Sequence, residues 1–226
     1  MRKQFLDNIV WNSLAGPQAR FAEGTGRIRR YARGCSPLIA WIDIEHPEFD
    51  ALNQYCEAGE SFYCAGWTGT APSDWQIDVD AQMEQYVWDG PAPRADDMPS
   101  VRLGKEHVAQ ALALVELTHP GPFGQRTIEL GEFHGVFDSG RLIAMAGERM
   151  HAGELREVSG ICTHPDYQGR GLARKLTERL VRTQLARGQV PFLHVMSDNH
   201  SARRLYERMG FRHHQGLPVR VMSRLR

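Results

Sequence analysis

The sequence has no run of about 18 apolar residues, which is the length that a membrane-spanning helix needs. Its first seven residues turn polar at once and lack the apolar core of a secretory signal. The cysteines form no CxxC pair, and no histidine stands near them at zinc-ligand spacing. These features predict a cytoplasmic protein with reduced thiols, no metal and no contact with a membrane. The cysteines are Cys35, Cys56, Cys64 and Cys162.

The net charge of zero conceals two halves of opposite sign. Residues 1–98 hold eight basic and fifteen acidic residues and all five tryptophans, whereas residues 99–226 hold nineteen basic and twelve acidic residues. The basic half suits a polyanionic ligand, either nucleotide-like or a nucleic acid. Two regions with different roles would produce this distribution.

A segment rich in proline separates the two halves. The twelve residues from Trp88 to Pro99 include three prolines and a glycine, which interrupt both helix and strand. We therefore place a domain boundary near Met98, between an acidic, Trp-rich region (1–98) and a second domain (99–226). In the first region, alternating apolar residues predict strands at 61–67 and 75–80.

The second domain is predicted to contain the order β, α, β, β, β, α, β, α, β. Apolar residues at helical spacing mark helices at 106–117, 172–187 and 201–209, while alternating or continuous apolar runs mark the strands. This order indicates an α+β fold, a mixed sheet flanked by helices. The predicted strands are 101–103, 133–137, 141–147, 155–163, 192–196 and one or two from 211 onward.

The chemically informative stretch runs from Glu157 to Leu176. A strand ends, a glycine-containing turn follows, and an amphipathic helix begins with free backbone N–H groups and the positive end of its dipole. Such a helix start binds phosphate or pyrophosphate. Gly169 and Gly171 remove side chains where a ligand must approach the backbone, and Arg170 and Arg174 add positive charge at the rim.

Two common phosphate-binding patterns do not fit this stretch. The dinucleotide pattern GxGxxG fails because Arg174 stands where its third glycine should be, and the P-loop pattern fails because no GK[ST] follows. The pattern that fits is Gln168-x-x-Gly171-x-Ala173. With it, the sequence resembles the GNAT superfamily of acyl-CoA N-acyltransferases, in which this pattern wraps the pyrophosphate of coenzyme A.

A second block strengthens the resemblance. Residues Asn199–Phe211 are similar to the family signature Asn-x-x-Ala-x-x-Leu-Tyr-x-x-x-Gly-Phe. The resemblance covers about 125 residues and implies the GNAT fold for the second domain. For the first region two interpretations stay open: it lines the acceptor site, or it is a degenerate, non-catalytic copy of the same fold.

The resemblance also implies which residues hold acetyl-CoA, the expected co-substrate. A strand bulge at Ser159–Gly160 would open a wedge for the pantetheine arm, which would pair with the adjacent strand. Asn199 would bond the pantetheine or simply cap its helix. Cys162 has no evident histidine partner, so its side chain is interpreted as structural. The implied coenzyme-binding residues are Ile161, Cys162, Thr163, Gln168, Gly169, Arg170, Gly171, Leu172, Ala173, Arg174 and Asn199.

Two residues are candidates for acid–base roles. Glu157, eleven residues before Gln168, is the predicted general base, with a pKa raised by a partly apolar cleft. The alternative is a salt-bridging glutamate next to Arg156, with Glu154 as the fallback base. Tyr206 is implied as the acid that donates to the departing thiolate; the alternative is a core tyrosine. His194 is interpreted as a sheet residue.

The sequence therefore predicts an N-acetyltransferase that moves an acetyl group from acetyl-CoA directly to an amine of a small molecule or peptide. Alternatives are a non-catalytic acyl-CoA sensor and a transferase for another acyl group or a hydroxyl acceptor. Nucleic-acid binding is not expected, because the basic half lacks interleaved aromatic residues. A homodimer, common in the family, stays open.

Overall fold

The protein is described by a computed structural model that covers residues 2–95 and 97–225. No helix in these ranges has both the length and the apolar character to cross a membrane. The helices are α1 (Arg2–Asp7), α2 (Ile9–Ala15), α3 (Phe49–Asn53), α4 (Val108–Thr118), α5 (Leu172–Ala186) and α6 (His200–Met209). The strands are β1 (Ala22–Gly24), β2 (Ile28–Tyr31), β3 (Ile39–Trp41), β4 (Ser61–Ala65), β5 (Trp75–Trp88), β6 (Val101–Arg102), β7 (Phe133–Asp138), β8 (Arg141–Ala152), β9 (Leu155–Thr163), β10 (Val190–Met196) and β11 (Phe211–Arg224).

Eight strands form one mixed sheet in the order β4-β11-β5-β10-β9-β8-β7-β6. Every neighbouring pair is antiparallel except β9 and β10, which run parallel. From β6 to β11 the elements follow the predicted order, so the α+β fold is confirmed. The first region also builds a small antiparallel sheet of β1, β2 and β3.

Helix α5 illustrates how the sequence pattern produces the packing. Its residues Leu176, Leu180 and Val181 recur at helical spacing and are at most 1% exposed, whereas charged residues occupy the other side. The helix ends at Ala186, and Gly188 follows with a positive φ of 70°. A glycine tolerates this conformation at no steric cost, which explains the sharp stop.

The two faces of the sheet are covered by different parts of the chain. Adjacent residues of a strand point to opposite faces, and Phe192 and Leu193 of β10 do so here. Leu193 packs with residues of α5 and α6, while Phe192 packs with Leu6 and Leu14 of α1 and α2. The acidic first region therefore closes one face of the sheet whose other face carries α5 and α6.

Strands from both sides of Met98 belong to the same sheet. Strand β5 lies between β10 and β11; it pairs with β11 along its whole length and with β10 over its last part, from Met83 to Val87. Its residues Tyr86 and Trp88 are buried in the core beneath α5 and α6. The prediction that residues 99–226 form a separate domain stays a prediction. In the structure, however, β5 of the first region is the strand next to both β10 and β11.

This arrangement predicts that residues 99–226 do not fold alone. Without β5, strands β10 and β11 lose their shared neighbour, and the core loses Tyr86 and Trp88. We expect the fragment to show no cooperative unfolding transition by circular dichroism in urea, whereas the full chain shows one. A cooperative transition in the fragment would establish Met98 as a true domain limit.

Candidate active site

Strands β9 and β10 separate to form a V. They pair only at Leu155–Val190, Arg156–Pro191 and Glu157–Phe192. Beyond these pairs β9 continues to Thr163 and β10 to Met196, and these two segments are the arms of the V. Among the described residues, the arms form no further backbone pairs with each other. The arms therefore leave backbone groups free for a ligand that enters as an extra strand.

A bulge in β9 accounts for the divergence. Met145 of β8 faces Cys162, but Gly147 faces Ser159, so β9 holds one more residue than β8 between these pairs. Gly160 has a positive φ of 61°, and a β-carbon there would lie 3.2 Å from the ring of Phe133. The bulge predicted at Ser159–Gly160 is confirmed, and it bends β9 away from β10.

The turn before α5 has the features of a phosphate site. Gly169 and Gly171 both adopt positive φ angles, 76° and 77°, and a β-carbon on either would meet no atom within 4 Å. Gly171 is the N-cap and no side chain caps the helix, so the amides of its first turn, from Leu172 to Arg174, have no intrahelical acceptor. Open space lies in front of these donors, which fits a pyrophosphate.

Two arginines add positive charge beside this turn. Arg170 lies over the ring of Tyr167, 4.6 Å from its centroid, and Arg174 pairs with Glu178 at 3.4 Å. Both arginines are exposed, and exposed pairs of this kind contribute little stability. Their side chains can therefore turn toward an anion at low cost, although the predicted phosphate contacts stay predictions.

Tyr206 of α6 lies at the V on the face of α5 and α6. It is 8% exposed and belongs to one hydrophobic cluster with Val158, Leu193 and Val195, which come from the two diverging strands. In the described part of the chain its hydroxyl has no hydrogen-bond partner, and burial raises its pKa to about 12. The phenol is therefore protonated at neutral pH and has its hydrogen available for a ligand.

Asn199 caps helix α6. Its Oδ1 accepts hydrogen bonds from the backbone N–H of Ala202 and the hydroxyl of Ser201, both at 3.1 Å. The capping alternative is thus confirmed. A contact between Asn199 and the pantetheine arm stays a prediction.

Cys162 is 6% exposed, and burial raises the pKa of its thiol to about 11. A nucleophilic cysteine needs the opposite shift, which argues against a nucleophilic role; the structural interpretation stays a prediction. No group of three histidine, cysteine or acidic side chains that could hold a metal is found within residues 2–95 and 97–225.

Glu157 lies at the vertex of the V, and both oxygens of its carboxylate are engaged by neighbouring groups. The side chain is 1% exposed and forms a two-pronged ion pair with Arg149, Nε to Oε2 at 2.9 Å and Nη2 to Oε1 at 2.8 Å. Oε1 also lies 2.8 Å from Nδ1 of His194, and Oε2 accepts from the backbone N–H of Met150 at 3.2 Å. Four contacts therefore occupy the two oxygens.

The raised pKa predicted for Glu157 is wrong. Burial alone would raise it, but the Arg149 guanidinium and the hydrogen bonds from His194 and Arg149 outweigh burial and hold the pKa at about 2. The salt-bridging alternative is confirmed, with Arg149 as the partner in place of Arg156. The base role stays untested, and the structure argues against it because no lone pair is left for an amine. The fallback Glu154 is exposed in the turn before β9, at the closed end of the V.

Sequence reasoning missed the partners of Glu157. Arg149 reaches it from β8, and His194 reaches it from β10. The sequence does place Arg149 and His194, both able to pair with a carboxylate, on predicted or neighbouring strands. Only the strand register shows that they meet Glu157. Arg156 is adjacent in sequence and points to the opposite face, 3.9 Å from Glu148.

The low pKa of Glu157 predicts a pH-dependent stability. The stabilisation is complete above the ordinary glutamate pKa of about 4.3 and is lost as the pH falls toward about 2. Glu157→Gln leaves Arg149 buried without a counter-charge and should cost about 3–5 kcal/mol at pH 7, with a smaller difference from wild type at pH 3. Urea unfolding at the two pH values measures both effects.

Glu178→Gln is the matched control, because Glu178 forms a surface pair with Arg174. It should change the free energy of unfolding by less than about 1 kcal/mol. Equal effects of the two substitutions would contradict the role assigned to the buried pair.

Comparison with known proteins agrees with this geometry. The profile of the family described as FR47-like protein matches residues 133–217. A GNAT-family protein from Novosphingobium aromaticivorans, of known crystal structure, is 37% identical over 97% of this chain and 98% of its own, with a TM-score of 0.88. The chain therefore belongs to the GNAT family of acetyltransferases.

More distant relatives share the fold or a single segment. A GCN5-related N-acetyltransferase from Kribbella flavida superposes with a TM-score of 0.60 over 96% of this chain and 94% of its own, at 13% identity, which shows a common fold. The N-alpha-acetyltransferase RimI of Mycobacterium tuberculosis is 46% identical over 55 residues, 24% of this chain. That match spans 34% of the length of RimI.

Proposed function

We propose that this protein transfers an acetyl group from acetyl-CoA directly to an amine. The observation that carries the proposal is the V between β9 and β10, with an uncapped helix start at its open end and the unpartnered hydroxyl of Tyr206 beside it. A long ligand with a diphosphate at one end and a reactive group at the other fits this combination.

The chain's own groups would hold acetyl-CoA at two places. The amides from Gly169 to Arg174 would bind the pyrophosphate, helped by the positive end of the α5 dipole. The backbone from Ile161 to Thr163, on the free edge of β9, would pair with the amide groups of the pantetheine arm. The thioester of the bound coenzyme supplies the acetyl group.

In the reaction, the amine nitrogen forms a bond to the acetyl carbon, and the carbon–sulfur bond breaks. A backbone N–H near Ile161 would stabilise the charge on the carbonyl oxygen. The Tyr206 phenol, with its pKa of about 12, is a weaker acid than a thiol at about 8.5. Tyr206 would therefore stabilise the departing thiolate with a hydrogen bond, and the proton released by the amine would reach sulfur through solvent.

The acceptor is an amine of a small molecule or a peptide. The segment shared with RimI, an N-alpha-acetyltransferase by name, supports a peptide amino group. A non-catalytic acyl-CoA sensor is the second candidate, and a specific observation favours it. Both oxygens of Glu157, the carboxylate nearest to the vertex, are already engaged.

Thiol release distinguishes the two functions. We expect the protein to release free thiol from acetyl-CoA only when an amine is present, measured with a thiol reagent across small amines and peptides with free amino termini. Propionyl-CoA and hydroxyl acceptors serve as comparisons for acyl and acceptor preference. Tight binding of acetyl-CoA by calorimetry without thiol release for any acceptor would favour the sensor.

Replacing the phenol of Tyr206 tests its proposed hydrogen bond to the departing thiolate. Tyr206→Phe should lower kcat about 10- to 100-fold, the loss expected for one hydrogen bond to a charged group, and leave the Kd for CoA nearly unchanged. Tyr86→Phe is the matched control, since this buried tyrosine on the same face donates to Glu207 at 2.9 Å. Unchanged kcat in Tyr206→Phe would remove the role.

A further inference from the structure

A row of buried and half-buried polar side chains crosses five strands at the vertex of the V. It runs from β8 through β9, β10 and β5 to β11, and each member contacts the next. Glu157 is 1% exposed and Gln85 is fully buried. The proposed chemistry uses none of these groups, so their presence in the core needs another explanation. The members of this polar row are Arg149, Glu157, His194, Gln85 and Gln215.

The contacts fix the tautomer of His194. Gln215 Nε2 donates to Gln85 Oε1 at 3.1 Å, which turns Gln85 Nε2 toward the ring of His194. Because an amide nitrogen only donates, His194 Nε2 accepts at 3.1 Å, and Nδ1 carries the hydrogen that points to Glu157 Oε1 at 2.8 Å. Both ring nitrogens are engaged in these contacts, so the ring has no free lone pair for an amine proton.

His194 lies one step beyond the vertex. Glu157–Phe192 is the last backbone pair between β9 and β10, and His194 is the next residue of β10 on the same face as Phe192. A continued ladder would place His194 opposite Ser159. The side-chain hydrogen bond from His194 back to Glu157 therefore spans the V where the backbone pairing has stopped.

We propose that His194 is a positioning residue: its Nδ1–H bond to Glu157 fixes the vertex of the V and so sets how deeply the arm of acetyl-CoA enters. This inference rests on the proposed function. Glu157 is a rigid anchor because Arg149 and the backbone of Met150 hold it from β8.

The bond matters because a ligand that enters as an extra strand pairs with the same edge of β9 that pairs with β10 at the vertex. Without the His194 bond, the pairs at Glu157–Phe192 can open further, and the thioester can settle at more than one depth. Acyl transfer requires the carbonyl carbon near the amine and the sulfur near Tyr206, and small misplacements lower the rate strongly. The pyrophosphate contacts on α5 are remote from the vertex, so affinity for the coenzyme should persist.

Two substitutions of His194 separate positioning from proton transfer. In His194→Asn, the side-chain N–H₂ occupies the place of Nδ1–H and keeps the bond to Glu157 without a titratable ring. In His194→Leu, a side chain of similar size donates nothing. We expect His194→Asn to keep kcat within about threefold of wild type and His194→Leu to lose about tenfold or more, with the Kd for CoA within about threefold in both.

The other outcomes overturn the proposal. Equal losses in both variants would show that the imidazole itself takes part in proton transfer, and unchanged kcat in His194→Leu would show that the bond does not position the substrate. A loss of CoA affinity in His194→Leu that parallels the loss of kcat would show a purely structural role. Circular dichroism and urea unfolding confirm that each variant is folded before kinetics are compared.

A spectroscopic measurement separates this proposal from the proposed function. In the ¹⁵N spectrum of the wild-type protein, Nδ1 of His194 should carry a hydrogen. If no amine accepts an acetyl group, the proposed function fails while the tautomer is still readable. A ring protonated at Nε2 alone has no Nδ1–H to give Glu157 and overturns the positioning role whether or not the protein is active.

Discussion

The structure depends on the point at which β9 and β10 stop pairing. Their parallel ladder ends after three residue pairs, at Glu157–Phe192. A bulge at Gly160 turns β9 aside, and a buried ion pair between Glu157 and Arg149 holds the last paired residue in place. A gap between two strands of a continuous sheet would normally close, because unpaired backbone groups in a protein interior are costly. Here the gap stays open because its vertex is fixed and its arms diverge.

Several independent features face this gap. The helix start at Gly171 presents free amides at the open end of β9, and α6 brings Tyr206 into the hydrophobic cluster that includes residues of both arms. The two glycines before α5 leave open space in front of the amides. The cleft proposed to bind acetyl-CoA is thus built from strand divergence, a helix start and one buried phenol.

The first region is a structural part of this cleft. Strand β5 pairs with the β10 arm from Phe192 to Met196 and supplies Gln85, which fixes the ring of His194. Helices α1 and α2 cover the face on which Phe192 lies. The acidic, Trp-rich half therefore shapes the environment of the V, even though its charge and composition differ from those of the second half.

Local patterns predicted much of the fold. Helix α5 and strand β9 follow from residue spacing within about thirty residues, and the bulge at Ser159–Gly160 was implied by the family resemblance and suits a glycine. The position of β5 did not follow, because strand pairing between residues 75–88 and 211–224 leaves no local signal. For the same reason the direction of the pKa shift of Glu157 was predicted wrongly. Its pKa depends on Arg149 and His194, which only the register of three strands brings together.

Hydrogen exchange on the wild-type chain, with and without CoA, tests the central claim most directly. The account predicts that CoA slows exchange at the amides of Gly169 to Arg174 and of Ile161 to Thr163, and leaves the interior of α5 unchanged. Unaltered exchange at these two segments under saturating CoA, or slowing confined to another surface, would contradict it.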